Sequence, residues 1–152
     1  GGLKIDRSIQ AVSQSSRVSV VVLHYTVADT PRALEILSKR NVSSHYLITD
    51  ETPPRVFQLV DESRRAWHAG ESRWGGRTAC NDFSIGIELE GCDTLPYTDR
   101  QYDVLIGVVR ALRSAYPAIT TDRIVGHCHI APGRKTDPGP YFDWARLRAS
   151  VG

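Results

Sequence analysis

The densest apolar run of the chain, Val18 to His24 (VSVVVLH), is rich in β-branched residues, as expected of a central strand buried on both faces. It ends on a histidine followed by Tyr25-Thr26. Thr30-Pro31 predicts a helix start, with Thr30 as N-cap and Pro31 in the first helical position. Ala33, Leu34, Ile36 and Leu37 supply its apolar face, and it ends before Asn41. His45 to Ile48 and Val56 to Val60 read as short strands around a turn at Asp50 to Pro54, so a hairpin is expected. Ser84 to Leu89 (SIGIEL) predicts another strand, with Glu88 on the face opposite Ile85 and Ile87. The longest helix is predicted over Asp99 to Tyr116. Thr98 and Gln101 form a capping box, Tyr102, Leu105, Ile106, Val109 and Leu112 recur at helical spacing, and Pro117 stops it. Arg123 to Val125 begins one more strand, and Phe142 to Ala149 reads as a short terminal helix.

Between these elements, residues 61–81 carry Trp67, His68, Gly70, Trp74, Gly75 and Gly76, a long aromatic loop that suits binding better than linking. Residues 1–17 are polar and weakly patterned, an arm expected to lie across a domain formed by residues 18–152. Strands interleaved with helices, with no internal repeat, predict the α/β class: a single mixed β-sheet flanked by helices.

The length of 152 residues suits one domain with its own core. A net charge of +2 gives nucleic acid no electrostatic footing. Arg64-Arg65 and the stretch from Arg73 to Arg77 make the middle somewhat basic; that is usually a solvated face, though an anionic polymer could profit from it. No apolar run approaches the roughly 18 residues that span a bilayer. Gly1-Gly2-Leu3 lacks the regions of a secretory leader, and the missing initiator Met suggests a trimmed start with any targeting signal upstream. Cys80, Cys92 and Cys128 form no CxxC pair, and the first two read as small buried or half-buried residues.

The chemistry concentrates in Gly126 to Pro140 (GHCHIAPGRKTDPGP), where glycines and prolines predict an irregular loop through which no helix or strand runs. His24, Glu88 and His127 stand at or just beyond strand ends, positions that often converge on a site. Asp137 follows His127 by ten residues. Two histidines and an aspartate can hold a catalytic zinc and leave the fourth position for water. The plainer reading stays open: His24 a packed strand residue, Asp137 a turn former before Pro138.

Five blocks resemble the zinc-dependent N-acetylmuramoyl-L-alanine amidases of the AmpD and AmiD type, relatives of peptidoglycan recognition proteins and phage amidases. They are VVLHYT around His24, SSHYL around His45, AWHAG over Ala66 to Gly70, NDFSIGIELEG over Asn81 to Gly91, and GHCHIAPGRKTDPGPYFDW over Gly126 to Trp144. The resemblance covers most of residues 18–148. It implies that His24, His127 and Asp137 are the zinc ligands, Glu88 the catalytic glutamate and Lys135 the lysine near the scissile carbonyl. It further implies that His45, Trp67 and His68 line or support the substrate cleft, and that residues 18–152 are the catalytic domain. Trp67 as a packed loop aromatic is an equal alternative, Lys135 has the alternative of an exposed loop cation and Glu88 that of a solvent-face strand residue, and Trp144 is expected in the core or docking a helix. Glu90 is expected on a solvent face.

Three departures qualify the match. His129 stands where Asp or Asn is expected, offering a competing imidazole two residues from His127. The tyrosine that some phage relatives carry near Ser44 is missing. The C-terminal blocks resemble AmpD more and the N-terminal half AmiD, with only about 20 residues between His24 and His45. The resemblance implies a monomer that hydrolyses muropeptides or peptidoglycan, in the periplasm through a lipid anchor outside this sequence, with the cytoplasm as the alternative. The competing functions are a non-catalytic peptidoglycan-binding module of the same fold and metal-free chemistry at Cys128.

Overall fold

The computed structural model describes residues 3–9 and 16–152. Five strands form the main sheet: β1 (Val20–Tyr25), β2 (Tyr46–Ile48), β3 (Val56–Gln58), β6 (Ser84–Leu89) and β7 (Ile124–Gly126), in the order β3-β2-β6-β1-β7. β1 pairs in parallel with both β6 and β7, β2 pairs in parallel with β6, and β3 returns antiparallel to β2. The sheet is therefore mixed, with the β-branched run of β1 inside it, as its composition requires.

The two-residue alternation of a strand assigns the faces. Val21 and Leu23 point one way with Ile85, Ile87, Leu89 and Ile124. There they meet Tyr102, Leu105, Val109 and Leu112 of α2 (Asp99–Ala115) and Leu147 and Val151 of α4 (Trp144–Val151). Each such aliphatic side chain, fully buried, contributes roughly 1.5–3 kcal/mol. Val20 and Val22 point the other way and pack on Ala69, Cys80, Phe83, Val125 and Ile130, while Ala33 and Leu37 of α1 (Thr30–Lys39) cover Leu47. On this second face His24 and Glu88, partners in the β1–β6 register, continue the row past its apolar part.

The capping box of α2 forms as expected: Thr98 accepts from the Gln101 backbone N–H, and the Gln101 side chain accepts from the Thr98 N–H. The α1 cap lies one residue earlier than expected. Asp29 caps by accepting from Arg32 N–H, and Thr30 is the first helical residue. The Thr30 hydroxyl donates instead to Glu90, which is buried at 8 % exposure and not on a solvent face. The terminal helix starts at Trp144 because Asp143 caps it through Arg146 N–H.

Two small elements interrupt segments expected to be irregular. β4 (Arg73–Trp74) and β5 (Arg77–Thr78) form a hairpin within the loop, turning on Gly75 and Gly76 with φ of +56° and +79°. Positive φ at both turn positions matches the twist of a tight hairpin and favours glycine. A one-turn helix, α3 (His127–Ile130), opens the Gly126 to Pro140 segment, and Ala131 N–H closes it on His127 O. The helix breakers Pro132 and Gly133 lie just beyond that turn, so they end it without preventing it.

Of the expected arm, residues 1–2 and 10–15 lie outside the described residues; residues 3–9 are exposed. Arg17 is firmly held, its guanidinium donating to the carbonyls of Glu62, Arg64 and Ser84.

Candidate metal-binding cleft

β1 ends its buried run at His24, and β7 hands directly into α3, whose first residue is His127. Asp137 is brought back to them because Cys128 N–H donates to its carbonyl and the Tyr97 hydroxyl donates to the carbonyl of Pro138. The result is a triangle of donor atoms. His24 Nδ1 lies 3.0 Å from His127 Nδ1 and 3.1 Å from Asp137 Oδ2, and His127 Nδ1 lies 3.2 Å from the same oxygen. All three residues are buried.

The surrounding hydrogen bonds fix where the protons are. His127 Nε2 is 2.8 Å from the Ala69 carbonyl, which can only accept, so Nε2 carries the proton and Nδ1 of the neutral ring is bare. For His24 the chain of inference is longer. The Ser84 hydroxyl lies 2.6 Å from the Cys80 carbonyl and must donate to it. Ser84 Oγ therefore accepts from His68 Nε2, 3.0 Å away. His68 Nδ1, 2.9 Å from His24 Nε2, then accepts from it, which leaves His24 Nδ1 bare. Burial holds His68 well below the ordinary imidazole range, and the other histidines around it push the same way, so its ring is neutral.

Two bare ring nitrogens and a carboxylate oxygen thus converge with no proton between them, an arrangement that repels unless a cation sits among them. Burial disfavours placing that charge on His24 as a proton, although the facing Asp137 carboxylate opposes this. Burial also raises the Asp137 carboxyl, but the His127 and His24 rings facing it outweigh that and hold it below the usual carboxylate range. A tetrahedral zinc with bonds of roughly 2.0–2.1 Å needs donors roughly 3.3 Å apart, close to the triangle found. The residues present fit a metal ion.

Glu88 faces the same cleft. Its Oε2 is buried and is the side-chain polar atom without a hydrogen-bond partner among the described residues. Burial pushes the carboxyl well above the ordinary 4.5, the Asp137 carboxylate adds to the push, and Lys135 opposes it. The Lys135 side chain is exposed at the cleft wall. Thr136, next to it, donates to Asp93 and exchanges a 2.7 Å hydrogen bond with the Tyr25 hydroxyl.

The cleft encloses about 440 Å³. One wall is apolar, from Ala33, Ile36, Leu37 and Val42; the other carries Arg134, Lys135 and Thr136. Trp67 stands on the rim, 56 % exposed, with the Arg65 guanidinium 4.4 Å from its ring centre. It is not a packed loop aromatic.

The other sequence candidates are placed differently. His45 is fully buried beneath the cleft: its Nδ1 accepts from Gly86 N–H, so Nε2 donates to Arg64 O, and it supports the cleft without lining it. His68 reaches the cleft wall, but both ring nitrogens are committed to His24 and Ser84. His129 points away from the donor triangle, its Nδ1 accepting from Gly126 N–H and its ring 5.1 Å from that of Trp144. Cys128 lies on the same far side of α3, lining a separate cavity with His129 and Arg148, and burial raises its thiol pKa; it is not a nucleophile of this cleft. Trp144 packs against the core, as expected. Ser84 and Asp93 are the contributors that sequence reading missed; neither a strand serine nor a loop aspartate carries a distinguishing pattern.

A family model described as N-acetylmuramoyl-L-alanine amidase matches residues 14–140. The 1,6-anhydro-N-acetylmuramyl-L-alanine amidase AmpD of Salmonella typhimurium is 59% identical over 110 residues, 72% of this chain and 57% of that protein. The N-acetylmuramoyl-L-alanine amidase AmiD of Escherichia coli is 40% identical over 160 residues, 96% of this chain and 58% of that protein. The chain thus spans less than two thirds of the length of these curated relatives. Among solved structures, AmpDh3 from Pseudomonas aeruginosa in complex with anhydromuramic pentapeptide matches with a TM-score of 0.90 at 36% identity, covering 98% of this chain and 66% of that one. E. coli AmiD in complex with the substrate anhydro-N-acetylmuramic acid-L-Ala-D-gamma-Glu-L-Lys matches with a TM-score of 0.88 at 39% identity, covering 98% of this chain and 63% of that one.

Proposed function

Because this chain belongs to the N-acetylmuramoyl-L-alanine amidase family, we propose that it is a zinc amidohydrolase acting on peptidoglycan fragments. The bond cleaved is the amide between the lactyl group of N-acetylmuramic acid, or its 1,6-anhydro form, and L-alanine of the stem peptide. The observation that carries this reading is the meeting, in one cleft, of three converging metal donors and the unpartnered Glu88 Oε2. The anhydromuramyl peptides held by the AmpDh3 and AmiD structures support the substrate class.

His24, His127 and Asp137 would hold the zinc, which when bound supplies Lewis acidity toward a carbonyl and acidifies a water. Glu88, made more basic by burial, takes a proton from the attacking water as its oxygen joins the lactyl carbonyl carbon. As the carbon–nitrogen bond breaks, Glu88 returns that proton to the leaving L-alanine amine. Lys135, a point charge on a flexible stem, stabilises the oxyanion that develops on the carbonyl oxygen. The exposed Trp67 face offers a stacking surface for the sugar ring. The reading extends to a monomer working in the periplasm, which sedimentation and fractionation of the native host check.

The test is zinc content together with mass spectrometry of muropeptides incubated with and without chelator. Chelator-sensitive release of intact stem peptides, with about one zinc per chain, is the expected result. Muropeptide that binds the zinc-loaded protein and stays uncut would overturn the reading in favour of a binding module.

A further inference from the structure

His24 Nε2, His68, Ser84 and the Cys80 carbonyl form a continuous line of hydrogen bonds behind the donor triangle, with spacings of 2.9, 3.0 and 2.6 Å. Every donor in it points away from the triangle: His24 to His68, His68 to Ser84, Ser84 to Cys80. Its direction is set at the far end, where a backbone carbonyl can only accept. Ser84 and His68 are each held for the purpose. Ser84 is fully buried at the start of β6. His68 packs over Gly86, and its backbone N–H donates to Asn81 Oδ1.

We infer that Ser84 and His68 are positioning residues that lock His24 in the tautomer with a bare Nδ1 and so set the metal affinity of the cleft. The inference rests on the metal reading above. Without the Ser84 oxygen, His68 Nε2 has no acceptor. Its proton is then free to move to Nδ1, where it faces His24 Nε2 and drives the His24 proton onto Nδ1, inside the donor triangle. Partners of this kind behind a metal-bound imidazole are typically worth about 10- to 100-fold in metal affinity.

The test uses the whole chain. Zinc affinity is measured by chelator competition for wild type, Ser84→Ala, His68→Leu and His68→Gln, and imidazole nitrogen NMR is recorded on the zinc-loaded wild type. The glutamine can accept from His24 through its oxygen and donate to Ser84 through its amide; leucine can do neither. The expected result is at least about 10-fold weaker zinc binding in Ser84→Ala and His68→Leu, with His68→Gln recovering most of it. The NMR spectrum should show His24 and His68 both protonated on Nε2. A His68 protonated on Nδ1, unchanged affinity in Ser84→Ala, or equal losses in the leucine and glutamine variants overturns the inference while leaving the metal reading intact. A wild-type chain that takes up no zinc overturns both. The wild-type spectrum decides the tautomer even where a variant fails to fold.

Discussion

A Cβ placed on Gly86 would lie 2.5 Å from Cγ of His68, closer than any real side chain tolerates. Glycine in a strand interior ordinarily weakens the strand; here it is the room in which an imidazole reaches the back of His24. Gly86→Ala is expected to push His68 out of line. The cost is about 1–3 kcal/mol of stability from overpacking, together with weaker zinc binding. Thermal unfolding and zinc titration of the variant read the two effects separately. An alanine variant of wild-type affinity would mean that the ring is free to shift.

Glu88 divides binding from turnover. Its Oε2 has no hydrogen-bond partner among the described residues, whereas the three converging donors belong to other residues. Glu88→Gln keeps the shape and removes the base, so kcat is expected to fall by about 10²–10⁴-fold with zinc content unchanged. Asp137→Asn should lose metal affinity as well, since it removes the charge that faces both imidazoles. Steady-state kinetics beside metal analysis of the two variants checks the contrast. Near-normal turnover in Glu88→Gln would remove the glutamate from the chemistry.

Thr136 sits between Lys135 and Asp137, and its hydroxyl lies 3.1 Å from both Asp93 oxygens. Tyr25 completes the clasp from the end of β1, reaching both Thr136 and Asp93. Asp93 and Thr136 are exposed and Tyr25 is half-buried, so the clasp contributes little to global stability, about 1 kcal/mol or less. Its effect falls on the placement of Lys135. Asp93→Ala is expected to leave the melting temperature within about 2 °C of wild type and lower kcat several-fold. A change confined to melting temperature would show that the clasp serves the fold alone.

The parts of this molecule legible in sequence are those that repeat or alternate. The β1 run, the α2 capping box and the opposite parity of Glu88 and Ile87 follow from local periodicity, and the structure has all three. The candidates His24, His127 and Asp137 stood out by residue type and by the blocks around them. What could not be read is how a side chain spends its hydrogen bonds over long separations. His68 reaches the cleft wall, but both of its nitrogens are spent inward, one on a residue 44 positions away. The α1 cap went to Asp29 because Thr30 was needed by Glu90, 60 positions on. The β4–β5 hairpin carried its Gly75-Gly76 signal openly, but with strands of two residues there was no alternation to accompany it.

Glu90 supplies a pH dependence that is independent of the cleft chemistry. Burial pushes its carboxyl above the ordinary 4.5, and its side-chain hydrogen bond with the Asp50 carboxylate adds to the push. The folded state therefore holds this proton to higher pH than the unfolded chain does. Between 4.5 and the raised value the native state binds more protons, so this group's contribution to stability falls as pH rises through that window. Glu90→Gln removes the titration. Its amide oxygen can still accept from the Thr30 hydroxyl, and its NH₂ can donate to Asp50. The variant is expected to match wild type near pH 4 and to melt higher at pH 7. Melting curves of both proteins across that range check the sign. A variant less stable by the same margin at both pH values would show that Glu90 is held as an ionised acceptor, with no proton shared with Asp50.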